Sequence, residues 1–261
     1  MVSIITIVYN GERFIADTIR SVAAQSYPHI EYIIVDGGST DRTLEIVDQF
    51  RDSVSIVLTE KDRGISDAFN KGIRLARGGI IGIINADDWY EPEAVAMAVN
   101  YLDGFDVAYG DLQQWKDGQP DFLARGDHQL LTREMTVNHP TVFVRRECYE
   151  RFGLFDEDYK CAMDYDLVLR LFMNGCRFVH IPAVLANMRW GGLSDSQWKL
   201  GCRETLLIKN KYLPARKRLN SLYYYKHIMA IRAPKIFQRL GFGFALRVYR
   251  THFAPFRKRY K

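Results

Sequence analysis

Asp87 and Asp88 stand side by side where the apolar run Ile80-Ile81-Gly82-Ile83-Ile84 stops, in the segment Asn85-Ala86-Asp87-Asp88, just before Trp89-Tyr90 and Pro92. An apolar run of this length reads as a buried strand. In open α/β sheets the strand carboxyl ends form the ligand edge. Two acids at that edge can hold a hard divalent cation, and such a cation can hold a diphosphate. The same residues also suit a turn and a helix N-cap. The remaining chemistry-bearing segments decide between the two.

Three further polar segments follow apolar runs. They are Thr6-Ile7-Val8-Tyr9-Asn10, Val35-Asp36-Gly37-Gly38-Ser39-Thr40-Asp41 and Asp62-Arg63-Gly64-Ile65-Ser66-Asp67. Gathered on one edge of a parallel sheet they make a nucleotide-sized crevice. Tyr9 can stack on a base. Asp36 can accept from a base N–H or a ribose hydroxyl, and Gly37-Gly38 lets backbone approach closely. Ser39 or Thr40 is expected to cap a helix from Asp41. No GxGxxG follows a strand and no GxxxxGK[ST] occurs, which disfavours a dinucleotide dehydrogenase or a P-loop NTPase.

The elements that must position these groups follow a simple rhythm. Strands are expected at Val2–Val8, Ile30–Val35, Val54–Leu58 and Ile80–Ile84. Helical patterns lie at Glu12–Gln25, Asp41–Phe50, Ser66–Ala76 and Glu93–Leu102. Alternation of this kind implies βαβ units, hence an α/β fold with a mainly parallel sheet and flanking helices. From Phe105 the pattern turns mixed. Strands are expected at Asp106–Gly110, Thr141–Val144 and Arg177–Ile181, a hairpin turn at Trp115-Lys116-Asp117-Gly118, and a helix at Asp164–Asn174. Ser196–Tyr212 and Leu219–Phe253 read as mostly helical. The expected division is 1–195, with halves 1–104 and 105–195, and a basic helical extension 196–261.

The run Ser3–Asn10, the Val35–Asp41 turn, Gly64-Ile65-Ser66-Asp67-Ala68-Phe69-Asn70-Lys71-Gly72 and Asn85–Asp88, in this order, resemble a family 2 glycosyltransferase of the GT-A fold, of bacterial surface-polysaccharide type. The resemblance covers roughly residues 1–195. It implies inverting transfer from a nucleotide-diphospho-sugar, with Asp88 binding Mn²⁺ or Mg²⁺ and Asp87 binding the donor and also the metal. It further implies donor contacts at Thr6, Tyr9, Asn10, Glu12, Asp36, Gly37, Asp67, Lys71 and Asn85. A cation would stabilise the charge growing on the leaving diphosphate. Inversion needs a base on the opposite face, and the position matching the family's base is Asp164. Asp166, four residues before Arg170, reads as half of a helix-surface ion pair. His139-Pro140-Thr141 resembles the acceptor-side segment, and Trp190 is placed on that side too. In the loop Met188–Ser194 many relatives carry a metal-binding His, and this chain has Arg189, expected to meet the diphosphate directly. Many relatives read Asp-Asp-Gly-Ser at the second motif, whose second Asp recognises uracil; here that position is Gly37. UDP is the favoured donor nucleotide, with GDP as the alternative.

Composition bounds the rest. With 261 residues and 48% hydrophobic residues the chain can fill a full core. Cys148, Cys161, Cys176 and Cys202 form no CxxC pair and read as buried thiols of a reducing compartment. The start runs directly into a strand, with no basic leader pattern. After Glu204 there are 15 Lys and Arg and no Asp or Glu, whereas the first 204 residues hold 21 basic and 31 acidic residues, a net of −10. Ile236, Leu240, Phe244 and Val248 recur every four residues among Lys235, Arg239, Arg247 and Arg250, a pattern suited to an anionic membrane surface.

The expectation is therefore a cytoplasmic, peripherally membrane-bound, metal-dependent glycosyltransferase. It would act on a saccharide acceptor, lipid-linked, in surface polysaccharide or lipopolysaccharide synthesis, at the inner face of the cell membrane and without nucleic acid. The rival enzyme reading is a sugar-nucleotide-forming nucleotidyltransferase, for which Asn10-Gly11-Glu12-Arg13 is a poor phosphate loop. The rival non-enzyme reading is an inactive membrane-docked scaffold of the same fold.

Overall fold

Runs such as Val2–Val8 and Ile30–Asp36 are apolar on both faces, so they can rest only where helices cover both sides of a sheet. The computed structural model describes residues 1–191 and 197–239, the last ten as backbone alone, and it puts them there. Strands β1 (Val2–Val8), β2 (Ile30–Asp36), β3 (Ile56–Thr59) and β4 (Ile80–Ile83) run parallel in the order β3-β2-β1-β4. The register pairs Val8 with Asp36 and Asp36 with Thr59. The carboxyl ends therefore share one edge, where the four polar segments emerge.

The second half extends the sheet to nine strands. β8 (Phe143–Arg145) pairs antiparallel with β4, and β6 (Val107–Lys116) lies between β8 and β9 (Phe178–Arg189). β7 (Gln119–Ala124) folds back on β6 through Asp117-Gly118. Both turn residues have positive φ, 51° and 76°, as a two-residue hairpin of this hand requires. β9 runs further than the expected Arg177–Ile181. A register shift beside Asp111 absorbs Pro182-Ala183, which cannot continue the ladder, and pairing then resumes to Arg189. Its far end pairs with the two-residue strand β5 (Trp89–Tyr90), which lashes the Asp87-Asp88 turn to β9.

Helices α1 (Ile15–Ala23), α2 (Thr43–Asp48) and α4 (Ala94–Tyr101) bury Ile15, Ile19, Val47 and Val95 against one face. Helices α3 (Ile65–Leu75), α5 (Arg146–Phe152) and α6 (Met163–Met173) bury Phe69, Ile73, Tyr149 and Leu169 against the other. Gly72 of α3 sits so close to β1 that an added Cβ would lie 2.4 Å from Ile5 Cγ2.

α7 (Trp198–Tyr212) docks on α6, and α8 (Lys217–Arg239) folds back on α7. The contact with α6 is polar and specific. Glu204 accepts the backbone amides of Lys160, Cys161 and Ala162 at 2.9, 2.8 and 2.9 Å, which satisfies the N-cap amide of α6 and the two loop amides before it. Asp166 is fully buried and accepts from Tyr212 at 3.0 Å, beside Lys211 and Arg170 at 3.4 Å. The expected surface ion pair with Arg170 is thus corrected: the pair forms, but beneath α7. Among the described residues all four cysteines are free thiols, with Cys148 buried and the others half-buried. None of the described helices is long and apolar enough to cross a membrane. The basic rows from residue 240 onward lie outside the described residues.

Candidate active site

Asp88 is 1% exposed at the end of β4. Its Oδ1 accepts the Arg189 amide at 3.2 Å and its Oδ2 accepts the Asn85 side-chain amide at 3.2 Å. Burial, and then the neighbouring Asp87 charge, push its proton affinity well above the usual carboxylate range. Asp87 is raised as well, by burial, against the counteracting Arg189 charge. Two desolvated acids that resist ionising together make a poor resting site for two negative charges. They are a suitable receptor for one hard divalent cation, which would restore both to the ionised form. Among the described residues no third His, Cys, Asp or Glu joins the pair, so two carboxylates together with a ligand's phosphate oxygens would make up the coordination of such an ion.

Asp164 opens α6. Its Oδ1 accepts the following amide of Tyr165 at 2.7 Å, and its side chain borders a cleft of about 270 Å³ with Asn85, His139, Lys160, Met163 and Met188. Burial raises its proton affinity to about 6, with the charge of Glu204 adding to the effect and the Tyr165 amide opposing it. Asn85 connects the two regions, since it lines this cleft and also donates to Asp88. A carboxylate poised near neutrality therefore shares a cleft with the neighbour of a cation-ready pair.

The other expected residues divide. Tyr9 is 63% exposed beside Gly37, free to cover a flat ligand. Asp36 is buried, and its carboxylate accepts the amides of Gly38 and Ser39 at 3.1 Å, building the turn from within. Thr6 is also fully buried and shares a 3.0 Å hydrogen bond with the Tyr32 hydroxyl, so it is a core residue here and not a lining one. Asn10 Oδ1 accepts from Thr40, and Glu12 from Arg42. Ser39 does not cap α2; its hydroxyl instead accepts the Asn10 amide, while Asp41 accepts the Thr43 amide. The amides of Asn10, Gly11 and Glu12 are all consumed by Ser39, Thr43 and Asp41, which leaves no open phosphate loop. This removes the local basis of the nucleotidyltransferase reading.

Asp67 is buried. Burial works against its charge, but the backbone and guanidinium of Arg63 and the ammonium of Lys71 outweigh it and hold the carboxyl down at about 2. Lys71 bridges Glu60 at 2.8 Å and Asp67 at 3.3 Å, so it joins the third segment to α3. His139 packs between Phe69 and Phe155, with ring centroids 5.2 and 5.8 Å away, and burial lowers its pKa to about 4, leaving it neutral near pH 7. Trp190 is 39% exposed at the end of β9 and donates its amide to Trp115.

Arg189 departs most clearly from expectation. Its guanidinium lies 4.4 Å from the Phe14 ring and 4.3 Å from the Trp89 ring, pairs with Asp17 at 2.9 Å and donates to the Asp87 carbonyl. It braces the acidic turn against α1 instead of pointing freely at a ligand. The remainder of its loop, residues 192–196, lies outside the described residues. Glu204 is the residue that sequence reasoning missed; a lone acid ahead of a wholly basic segment was its only signal.

Residues 3–163 match the model of glycosyl transferase family 2. The chain is 30% identical over 208 residues to a PGL/p-HBAD biosynthesis glycosyltransferase of Mycobacterium bovis, over 75% of this chain and 80% of that one. It is 31% identical to the chondroitin synthase of Escherichia coli over 77% of this chain, but spans only 30% of that longer protein. Its fold is similar to S. aureus TarS 1–349 in complex with UDP-GlcNAc, with TM-score 0.67 and 21% identity over 79% of this chain and 65% of that one. It is similar also to the mannosyltransferase PcManGT of Pyrobaculum calidifontis in complex with GDP-Man and Mn²⁺, with TM-score 0.64 and 22% identity over 86% of this chain and 69% of that one.

Proposed function

The chain belongs to glycosyl transferase family 2, and from that premise we propose that it is a metal-dependent, inverting glycosyltransferase. It moves a sugar from a nucleotide-diphospho-sugar, UDP favoured over GDP, to a saccharide acceptor. The observation that carries this reading is the cleft in which Asn85 joins the Asp87-Asp88 pair to Asp164. Asp88 and Asp87 would hold Mn²⁺ or Mg²⁺, which when bound offsets the charge growing on the leaving diphosphate.

The protein's own groups supply the rest. Asp164, ionised above about pH 6, takes the proton from the attacking acceptor hydroxyl. Neutral His139, seated between two Phe rings, forms an apolar wall on the acceptor side and excludes water. Tyr9 covers the donor base, and Asp36 and Asp67 keep the base-side loops in shape. Arg189 holds the Asp87-Asp88 turn in place from α1.

The acceptor is proposed to be lipid-linked and met at the inner face of the cell membrane, in surface polysaccharide synthesis. Supporting this, α8 exposes Leu222, Tyr225 and Met229 in one row, 62%, 65% and 58% open, within the basic segment. A cavity of about 260 Å³ at α7 and α8 shares Met135 and Cys161 with the Asp164 cleft, which gives an extended acceptor somewhere to continue. Calorimetric titration of the protein with UDP, GDP and CDP, with and without Mn²⁺, tests the reading. Metal-dependent binding of a nucleotide is expected, and binding of none by the folded protein would overturn it.

A further inference from the structure

Asp36 is sealed inside its turn, and position 37 carries no side chain, so neither residue offers a carboxylate to a ligand. The reason position 37 must stay bare lies in the loop after β3. A Cβ placed on Gly37 would sit 2.3 Å from Asp62 Oδ2 and 3.3 Å from its Cγ. Asp62 thus puts its carboxylate into the space that a side chain at position 37 would fill. The same point is 3.6 Å from the Tyr9 Cβ, so the carboxylate and the exposed Tyr9 ring flank one strip of bare backbone.

Asp62 is held in this pose. Its Oδ1 accepts the Gly64 amide at 3.0 Å, and Gly64 has φ 127°, a backbone that suits glycine. Nearby, Glu60 donates its amide to the Asp36 carbonyl at 3.0 Å, so the two loops are tied as a unit. Among the described residues no donor bonds to Asp62 Oδ2. One carboxylate oxygen is fixed by its own loop and the other lies over the bare backbone of Gly37, an acceptor placed as a group that reads a ligand N–H would be.

We propose that Asp62 is the base-reading residue of the donor site, taking the place of an acid at position 37. Its Oδ2 accepts the ring N–H of the base, N3–H of uracil or N1–H of guanine, while Tyr9 covers the base face. Cytosine presents a ring nitrogen lone pair at the same edge, and two acceptors facing each other repel. The site therefore selects bases with a ring N–H and rejects cytosine. This rests on the nucleotide-sugar reading above and adds to it the atom that discriminates. The competing view is that Asp62 only shapes its own loop through Gly64.

Isothermal titration of the full-length protein with UDP, GDP and CDP in Mn²⁺ separates these views. Wild type is expected to bind UDP or GDP at least tenfold more tightly than CDP. Asp62→Asn keeps an oxygen for the Gly64 amide but turns an N–H toward the base. It should weaken the preferred nucleotide by about 10–100-fold, the worth of a charge-assisted hydrogen bond, and strengthen CDP. Gly37→Ala leaves Asp62 in place but drives a methyl group into Oδ2, and should erode the same ratio. An unchanged ratio in a folded Asp62→Asn protein, or wild-type CDP binding equal to UDP and GDP, refutes the base-reading role alone. Wild type that binds none of the three refutes the donor-site reading and this inference together.

Discussion

Replacing Asp164 by Asn separates catalysis from stability with opposite signs. The amide keeps the side-chain oxygen that accepts from Tyr165 at 2.7 Å, and it cannot ionise. Burial and the Glu204 charge raise this carboxyl from 3.8 to about 6. A group raised in the folded state stabilises the fold fully only below its unfolded value. That contribution is lost as pH rises through about 6. At about 1.4 kcal/mol per tenfold change in proton affinity, burying this carboxyl costs the wild type up to about 3 kcal/mol at pH 7.5 and about 1 kcal/mol at pH 4.5. Asp164→Asn is therefore expected to melt on the order of 5–10 °C higher than wild type at pH 7.5, with the gap closing toward pH 4. Its turnover should fall by about 10²–10⁴, the usual worth of a positioned general base. Wild-type turnover should rise with pH through about 6 and then level off, since only the ionised form accepts a proton. Differential scanning calorimetry across pH, together with detection of released nucleoside diphosphate, reads both effects. Near-normal turnover in the variant would place the base elsewhere. A Tm gap that fails to widen between about pH 4 and pH 6 would refute the burial argument.

Asp88→Ala should abolish the Mn²⁺ dependence of nucleotide binding and lower turnover by roughly 10³-fold, as loss of several kcal/mol of charge stabilisation predicts; titration with and without metal checks it. Asp166→Ala leaves Arg170 and Lys211 facing an emptied, buried site and should cost about 3–5 kcal/mol in urea unfolding, whereas a surface pair would cost at most about 1. Gly72→Ala forces a methyl against Ile5 Cγ2, and overpacking of about 1–3 kcal/mol should outweigh the roughly 1 kcal/mol gained in helix propensity; a raised Tm would contradict the close contact. Changing Leu222, Tyr225 and Met229 together to Ser should weaken binding to phosphatidylglycerol vesicles at least about tenfold, and equal co-sedimentation of this variant would rule out that face of α8 as the membrane contact.

What the sequence could disclose was whatever is encoded locally. β1 and the end of β4 are legible because a double-faced apolar run followed by polar residues has few other uses. The Asp117-Gly118 turn is legible because only certain residues tolerate two successive positive φ angles. The same local logic misread Asp166. Spacing to Arg170 reveals a helical neighbour, but not that α7 would lie across both. The strand expected at Arg177–Ile181 stops where Pro182 interrupts the ladder, and only the pairing with β6 shows that the interruption is a bulge. The motif position of Thr6 points to a donor contact, whereas its hydroxyl is committed to Tyr32 on the neighbouring strand. Glu204 and Asp62 act over separations of 42 and 25 residues, on Ala162 and Gly37, and no periodicity in one chain reports such meetings.

The clasp of Glu204 on the amides of residues 160–162 sets an order in time. The donor crevice, from Tyr9 to the Asp87-Asp88 turn with its Arg189 brace, is complete along the chain before residue 204 is made. Until then the amides of residues 160–162 lack the carboxylate that accepts them in the full chain, and Asp164 lacks the charge that helps tune its carboxyl. Released chains ending at residue 195 and at residue 213 should therefore differ in kind: both are expected to hold nucleotide, and only the longer one to turn it over. Equal turnover by the two would show that the base needs no late-arriving clasp. On this account the capacity to hold the donor precedes, along the growing chain, the capacity to use it, and the contact between Glu204 and residues 160–162 is what joins the two.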